Sequence, residues 1–122
     1  MGELRMGVNE TRFAEIIWAN APIPATELAR FGEQEFNWKK TTSYTVLKRL
    51  CNKGIFQHQS GVVTVLISRE KFYSIQSENF VEETFQGSLP AFLAAFTARR
   101  SLSKEDVAQL RKMVEEYEEE KS

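Results

Sequence analysis

Apolar residues recur at helical spacing from the first turns of this 122-residue chain. Phe13, Ile16, Ile17 and Ala21, with Trp18 beside them, predict a helix over residues 10–20. Ala21-Pro22-Ile23-Pro24 breaks it, and Pro24 suits the first position of a second helix. That helix covers about 24–34, buries Leu28 and Phe31, and ends near Gly32, with Asn37-Trp38 in the connection. A third helix from about Lys39 to Asn52 turns Val46, Leu47, Leu50 and Cys51 inward. Gly54 is placed to stop it in a left-handed cap, with Lys53 beside the helix's negative end. Ile55–His58 then reads as a strand, Gln59-Ser60-Gly61 as a turn, and Val62–Ile67 as a second, β-branched strand. Three helices and a hairpin, in that order, make a winged helix-turn-helix domain over residues 1–68.

After Ser68 the helical period returns. Phe72, Ile75, Phe80, Val81 and Phe85 form the apolar side of a helix over about 69–86, and Gly87-Ser88 ends it. Leu89, Phe92, Leu93 and Phe96 follow at i, i+3, i+4 and i+7. Leu102-Ser103-Lys104-Glu105-Asp106-Val107 reads as a capped start, with Ser103 as cap, Asp106 as the acid three residues on, and Leu102 against Val107 as a staple. Val107, Leu110, Val114 and Tyr117 continue the rhythm into an acidic end. Three short helices with this much aromatic surface cannot cover themselves, so residues 69–122 are expected to dimerise through Phe80, Phe85, Leu89, Phe92, Leu93, Phe96, Val107, Leu110 and Val114. The fold class is therefore mostly α with a small β-hairpin wing: a winged helix-turn-helix followed by C-terminal dimerisation helices.

Charge adds a direction to this picture. Between Phe36 and Arg69 lie six Lys or Arg (Lys39, Lys40, Lys48, Arg49, Lys53, Arg69) and no Asp or Glu, although the chain as a whole has net charge −1. One face can meet a polyanion, and it is built on the third helix and the hairpin. A helix that reads base edges needs short hydrogen-bonding residues in its first turns. Thr41, Thr42, Ser43, Tyr44 and Thr45 are there, and Thr41, Tyr44, Thr45 and Lys48 should share one exposed face opposite Val46 and Leu50. Tyr44 and Thr45 are the expected base-reading pair. Lys39 and Lys40 crowd the positive end of the helix, a conflict that a bound phosphate would relieve. Arg49 and Lys53 suit either phosphate contact or structural pairing. The wing is thin: His58-Gln59-Ser60-Gly61 has no Lys or Arg, and His58 could touch phosphate when protonated.

Other chemistry is poorly supplied. One His and one Cys make neither a conventional metal site nor a Cys-His nucleophile, and there is no phosphate-binding glycine motif. No enzyme activity, metal or cofactor is expected. The Glu cluster from Glu115 to Glu120 reads as a solvated tail. No apolar run approaches about 18 residues, and Met-Gly-Glu-Leu-Arg offers no signal-peptide core, so neither membrane insertion nor export is expected. A lone Cys51 fits a reducing cytoplasm.

The run Trp38-Lys39-Lys40-Thr41-Thr42-Ser43-Tyr44-Thr45-Val46-Leu47-Lys48-Arg49-Leu50-Cys51-Asn52-Lys53-Gly54 resembles the recognition-helix pattern of the penicillinase repressor family of bacterial transcription regulators. Trp18, Glu27-Leu28, Phe85-Gln86-Gly87-Ser88-Leu89 and Leu102–Leu110 extend the resemblance over nearly the whole chain. It implies a homodimer that binds a palindromic double-stranded DNA operator and represses antibiotic-resistance or related genes. In the β-lactam branch a membrane sensor-protease pathway leads to cleavage at an Asn-Phe bond. Ala95-Phe96 stands at the matching positions and is the candidate proteolytic site. The copper-sensing branch carries paired C-x-C motifs, and this chain has no Cys after Cys51. Two rival readings are a winged-helix protein-interaction module that does not touch DNA, and a regulator with a ligand pocket among Phe72, Phe80, Phe85 and Phe92.

Overall fold

The computed structural model describes residues 4–121; the signal-peptide reading rests partly on residues 1–3, which lie outside them. The elements run α1 (Val8–Asn20), β1 (Ile23–Pro24), α2 (Ala25–Phe36), α3 (Lys40–Asn52), β2 (Phe56–Gln59), β3 (Val62–Val65), α4 (Arg69–Phe85), α5 (Leu89–Thr97) and α6 (Lys104–Lys121). This is a winged helix-turn-helix followed by C-terminal helices. The chain forms two compact units that meet in sequence inside α4, between Asn79 and Phe80.

In the first unit, α1 buries Phe13, Ala14 and Ile17, and α3 buries Ser43, Val46, Leu47 and Leu50 at i, i+3, i+4 and i+7. With Leu28, Ile55, Phe56 and Val63 they make one core. Gly54 (φ 82°) ends α3 as expected: the Ile55 N–H donates to the Leu50 carbonyl and the Gly54 N–H to the Cys51 carbonyl, the paired bonds of a left-handed helix stop.

Three local expectations need correction. The segment Ile23-Pro24 is not only a break. It is a short strand that pairs antiparallel with β3 (Ile23↔Val63, Pro24↔Val62), giving a three-stranded sheet in the order β1-β3-β2. Two prolines hold the backbone extended, and Pro24, lacking an N–H, is tolerated at an edge. Pro24 therefore precedes α2 as its N-cap. The second helix continues past Gly32 to Phe36, and Asn37 (φ 57°) takes the left-handed stop. Gly32 serves close approach: a Cβ there would sit 2.0 Å from the Ser43 hydroxyl oxygen. Phe31 is half-buried, not core. The hairpin strands are Phe56–Gln59 and Val62–Val65, joined by Ser60 and Gly61 at φ 55° and 78°, the positive values a two-residue hairpin loop requires.

The first turns of α4 are anchored on the winged unit. Phe72 is buried, and the Trp18 indole lies 5.3 Å from its ring while its Nε1–H donates to the Ile67 carbonyl at 3.0 Å. Glu15 accepts from Arg69 Nε and from the Tyr73 hydroxyl, each at 2.6 Å. The Arg69 hydrogen bond is the main reason the Glu15 carboxyl lies below its ordinary range, with the Tyr73 bond adding to it against partial burial. A depressed carboxyl stabilises the fold fully above the ordinary carboxylate range and loses that contribution as pH falls below it. The melting temperature should therefore fall on the acid side of the ordinary carboxylate range, and Glu15→Gln should flatten that limb in a pH series of thermal melts. The effect is small, because both partners of the ion pair are substantially exposed.

In the second unit, Ser88 Oγ accepts from the Ala91 N–H and caps α5, and Ser103 Oγ accepts from the Asp106 N–H and caps α6 as expected. Phe92 is the hub of a ring cluster, 6.0 Å from Phe80, 5.6 Å from Phe85 and 6.1 Å from Phe96. Neither α5 nor α6 has a buried residue.

Candidate nucleic-acid interface

The candidate interface is built on α3. Its inward stripe leaves Thr41, Thr42, Thr45, Lys48 and Arg49 exposed, with Lys39 and Lys40 exposed at its start. Lys39 is the N-cap and supplies no capping oxygen, since a lysine side chain has none to offer. The first turn thus presents backbone N–H groups and two ammonium groups at the positive helix end, a combination suited to an anion.

Within the predicted set the side chains differ in exposure and bonding. Thr45 Oγ1 donates to the Thr41 carbonyl at 2.9 Å. Its proton is thereby used, and it offers a groove an acceptor oxygen and a methyl group. Tyr44 was expected on the exposed face but is half-buried and packs against the core, with the Lys40 ammonium 5.9 Å above its ring and the His58 ring 6.3 Å away. The 3.6-residue period explains this: Tyr44 flanks the buried Ser43 and Leu47 on the edge of the inward stripe. Ser43, counted among the polar first-turn residues, is 2% exposed, and its Oγ has no hydrogen-bond partner among the described residues. Lys53 turns away from solvent, bonding the Arg5 carbonyl and pairing with Glu10 at 3.2 Å. Its observed contacts are structural. His58 is exposed on β2, paired across the ladder with Val63, and the loop beyond carries no cation.

Cys51 is half-buried, and that burial raises its thiol pKa against a weaker opposing hydrogen bond from the His58 backbone. A raised pKa holds it as an unreactive thiol.

The residues expected to dimerise differ in exposure. Phe80, Leu89, Phe96, Val107 and Val114 are exposed, whereas Phe85, Phe92, Leu93 and Leu110 are half-buried. Leu102, Val107, Leu110 and Val114 line one open groove of α6, edged by Arg111, Glu115 and Glu118. Met113 and Tyr117 are also exposed apolar surface, 64% and 60% accessible. Ala95 and Phe96 are exposed within α5. The four phenylalanines considered for a ligand pocket are divided: Phe72 packs on Trp18 and Tyr73 in the first unit, while Phe80, Phe85 and Phe92 fill each other's space in the second. Among the described residues no helix is long and apolar enough to cross a membrane.

Residues 6–116 match the family model described as penicillinase repressor. A curated penicillinase repressor of Bacillus licheniformis is 25% identical over 112 residues, covering 88% of each chain.

Proposed function

The chain belongs to the penicillinase repressor family, a family of transcriptional repressors, and from that premise we propose that it binds operator DNA as a homodimer and represses the adjacent genes, antibiotic-resistance or related genes among them. The winged unit reads a half-site with α3, and the helices after Asn79 hold two copies together, with half-site centres about 34 Å apart or a multiple of that. The observation that carries the reading is the outward face of α3: hydroxyls and ammonium groups, an uncapped positive end, and no acid anywhere from Phe36 to Arg69. Lys39, Lys40, Lys48 and Arg49 neutralise phosphates. Thr41, Thr42 and Thr45 approach base edges, with Tyr44 and His58 at the margin. In this reading a sensor-protease pathway relieves repression by cutting at Ala95-Phe96.

Fluorescence anisotropy on the gene's own upstream DNA at two salt concentrations tests it. Lys40→Ala should weaken binding to every sequence and reduce the salt slope by about one per bound copy. Thr45→Ala should relax base preference instead, at about 1–3 kcal/mol per discriminated pair. Because the Thr45 proton is already engaged, Thr45→Val (losing the acceptor) and Thr45→Ser (losing the methyl) should fail on different bases. Identical effects of Lys40→Ala and Thr45→Ala would refute the division of roles.

The bare wing turn, Ser60-Gly61, favours one alternative: a protein-interaction module on the same scaffold. It requires that duplex DNA show no salt-dependent binding at all.

A further inference from the structure

The basic block begins at Lys39 in sequence, but the fold adds a cation from elsewhere. Arg12, on α1, is exposed, and its guanidinium carbon lies 4.8 Å from the centre of the Phe36 ring. Phe36 in turn stacks on Trp38, with centroids 4.5 Å apart and planes 27° off parallel. Trp38 directly precedes Lys39, the N-cap of α3. The buried ring of Phe13 holds both partners from beneath, 6.2 Å from Phe36 and 5.3 Å from Trp38. A ladder of one cation and two rings therefore leads from α1 to the residue before the uncapped helix start. Among the described residues no carboxylate lies within ion-pair distance of Arg12.

We propose that Arg12 is a phosphate-binding residue of the DNA interface, lying outside the helix-turn-helix and linked to the turn before α3 by its cation–π contact with Phe36. The inference rests on the DNA-binding reading above. A guanidinium lying on an aromatic ring keeps its N–H donors at its edge, where they can meet a phosphate oxygen pair in the plane of the group. The ring contact also narrows the side chain's rotamers beforehand, so less freedom is lost on binding. Lysine carries the charge but cannot provide the planar pair of donors. Arg12 acts with Lys39 and Lys40 on the backbone flanking the half-site and carries no sequence information.

The test compares wild type, Arg12→Ala and Arg12→Lys by anisotropy on upstream and scrambled duplexes across a salt series, with thermal melts alongside. Arg12→Ala should lose roughly tenfold in affinity on both duplexes, the scale of a charge-assisted hydrogen bond, and its salt slope should fall by about one per bound copy. Arg12→Lys should keep the slope and recover only part of the affinity. A folded Arg12→Ala with wild-type affinity and slope overturns the proposal. So does weaker binding with an unchanged slope and a lower melting temperature, which would make Arg12 a clamp on the turn and nothing more. Wild type that shows no salt-dependent binding sinks the DNA reading itself, a result distinct from either of these.

Discussion

Placing a carboxylate at Phe92 or Val114 should abolish self-association and lower affinity for a complete palindromic operator by about a hundredfold or more. Two linked half-site contacts gain roughly 10²–10⁴ over one, and that gain disappears when the copies separate. Phe92 touches Phe80, Phe85 and Phe96, so Phe92→Asp would put a charge at the centre of the ring cluster. Burying an unpaired charge costs several kcal/mol. Val114 is 58% exposed in the single chain, so Val114→Glu disturbs little inside one copy and acts mainly if a second copy covers it. The pair of variants thus separates lost association from lost folding. Sedimentation equilibrium should show monomers for both, and anisotropy on an isolated half-site should give wild-type affinity. A dimeric Val114→Glu that binds the palindrome normally would remove α6 from the interface.

Gly32→Ala should lower the unfolding free energy by about 2 kcal/mol, within the range for overpacked cores, and Ser43→Ala should restore most of it. A new methyl at Gly32 would lie 2.0 Å from the Ser43 hydroxyl and 3.2 Å from the Ser43 Cβ. The alanine gains about 1 kcal/mol of helix propensity, which cannot offset an overlap that forces α2 and α3 apart. Removing the hydroxyl clears the worse contact and eliminates a buried donor without a partner among the described residues. Ser43→Ala alone should be neutral or slightly stabilising. Urea melts of the four proteins form a double-mutant cycle; simple additivity would show that the two residues do not meet as described.

The parts of this fold that were legible in the sequence are those set by local period and cap chemistry. The α3 stripe, the Gly54 stop, the Ser103 cap and the extent of α4 all follow from residues close to one another in the chain. What escaped depends on distant partners. Ile23-Pro24 becomes a strand only because Val62 and Val63 lie alongside it, and Gly32 reads as a helix end until α3 is laid across it. Ser43 looks like any polar residue of a helix start, yet its phase places it under Gly32. Tyr44 misled for the same reason, since a one-residue change of phase separates a groove-facing side chain from one at the margin of the core. For the site, the basic block was visible as a run of charge. A contribution such as that of Arg12 was not, because no linear window joins α1 to the residue before Lys39.

The position of Ala95-Phe96 inside α5 has one further consequence. Proteases commonly bind their substrates as extended strands, whose backbone groups pair with the edge of the cleft. Here the Phe96 carbonyl already accepts from the Arg99 and Arg100 amides, and the Thr97 hydroxyl bonds the Leu93 carbonyl. A peptidase reaching this bond must first find the segment unwound, so the speed of derepression would follow how often α5 opens as well as how much active peptidase is present.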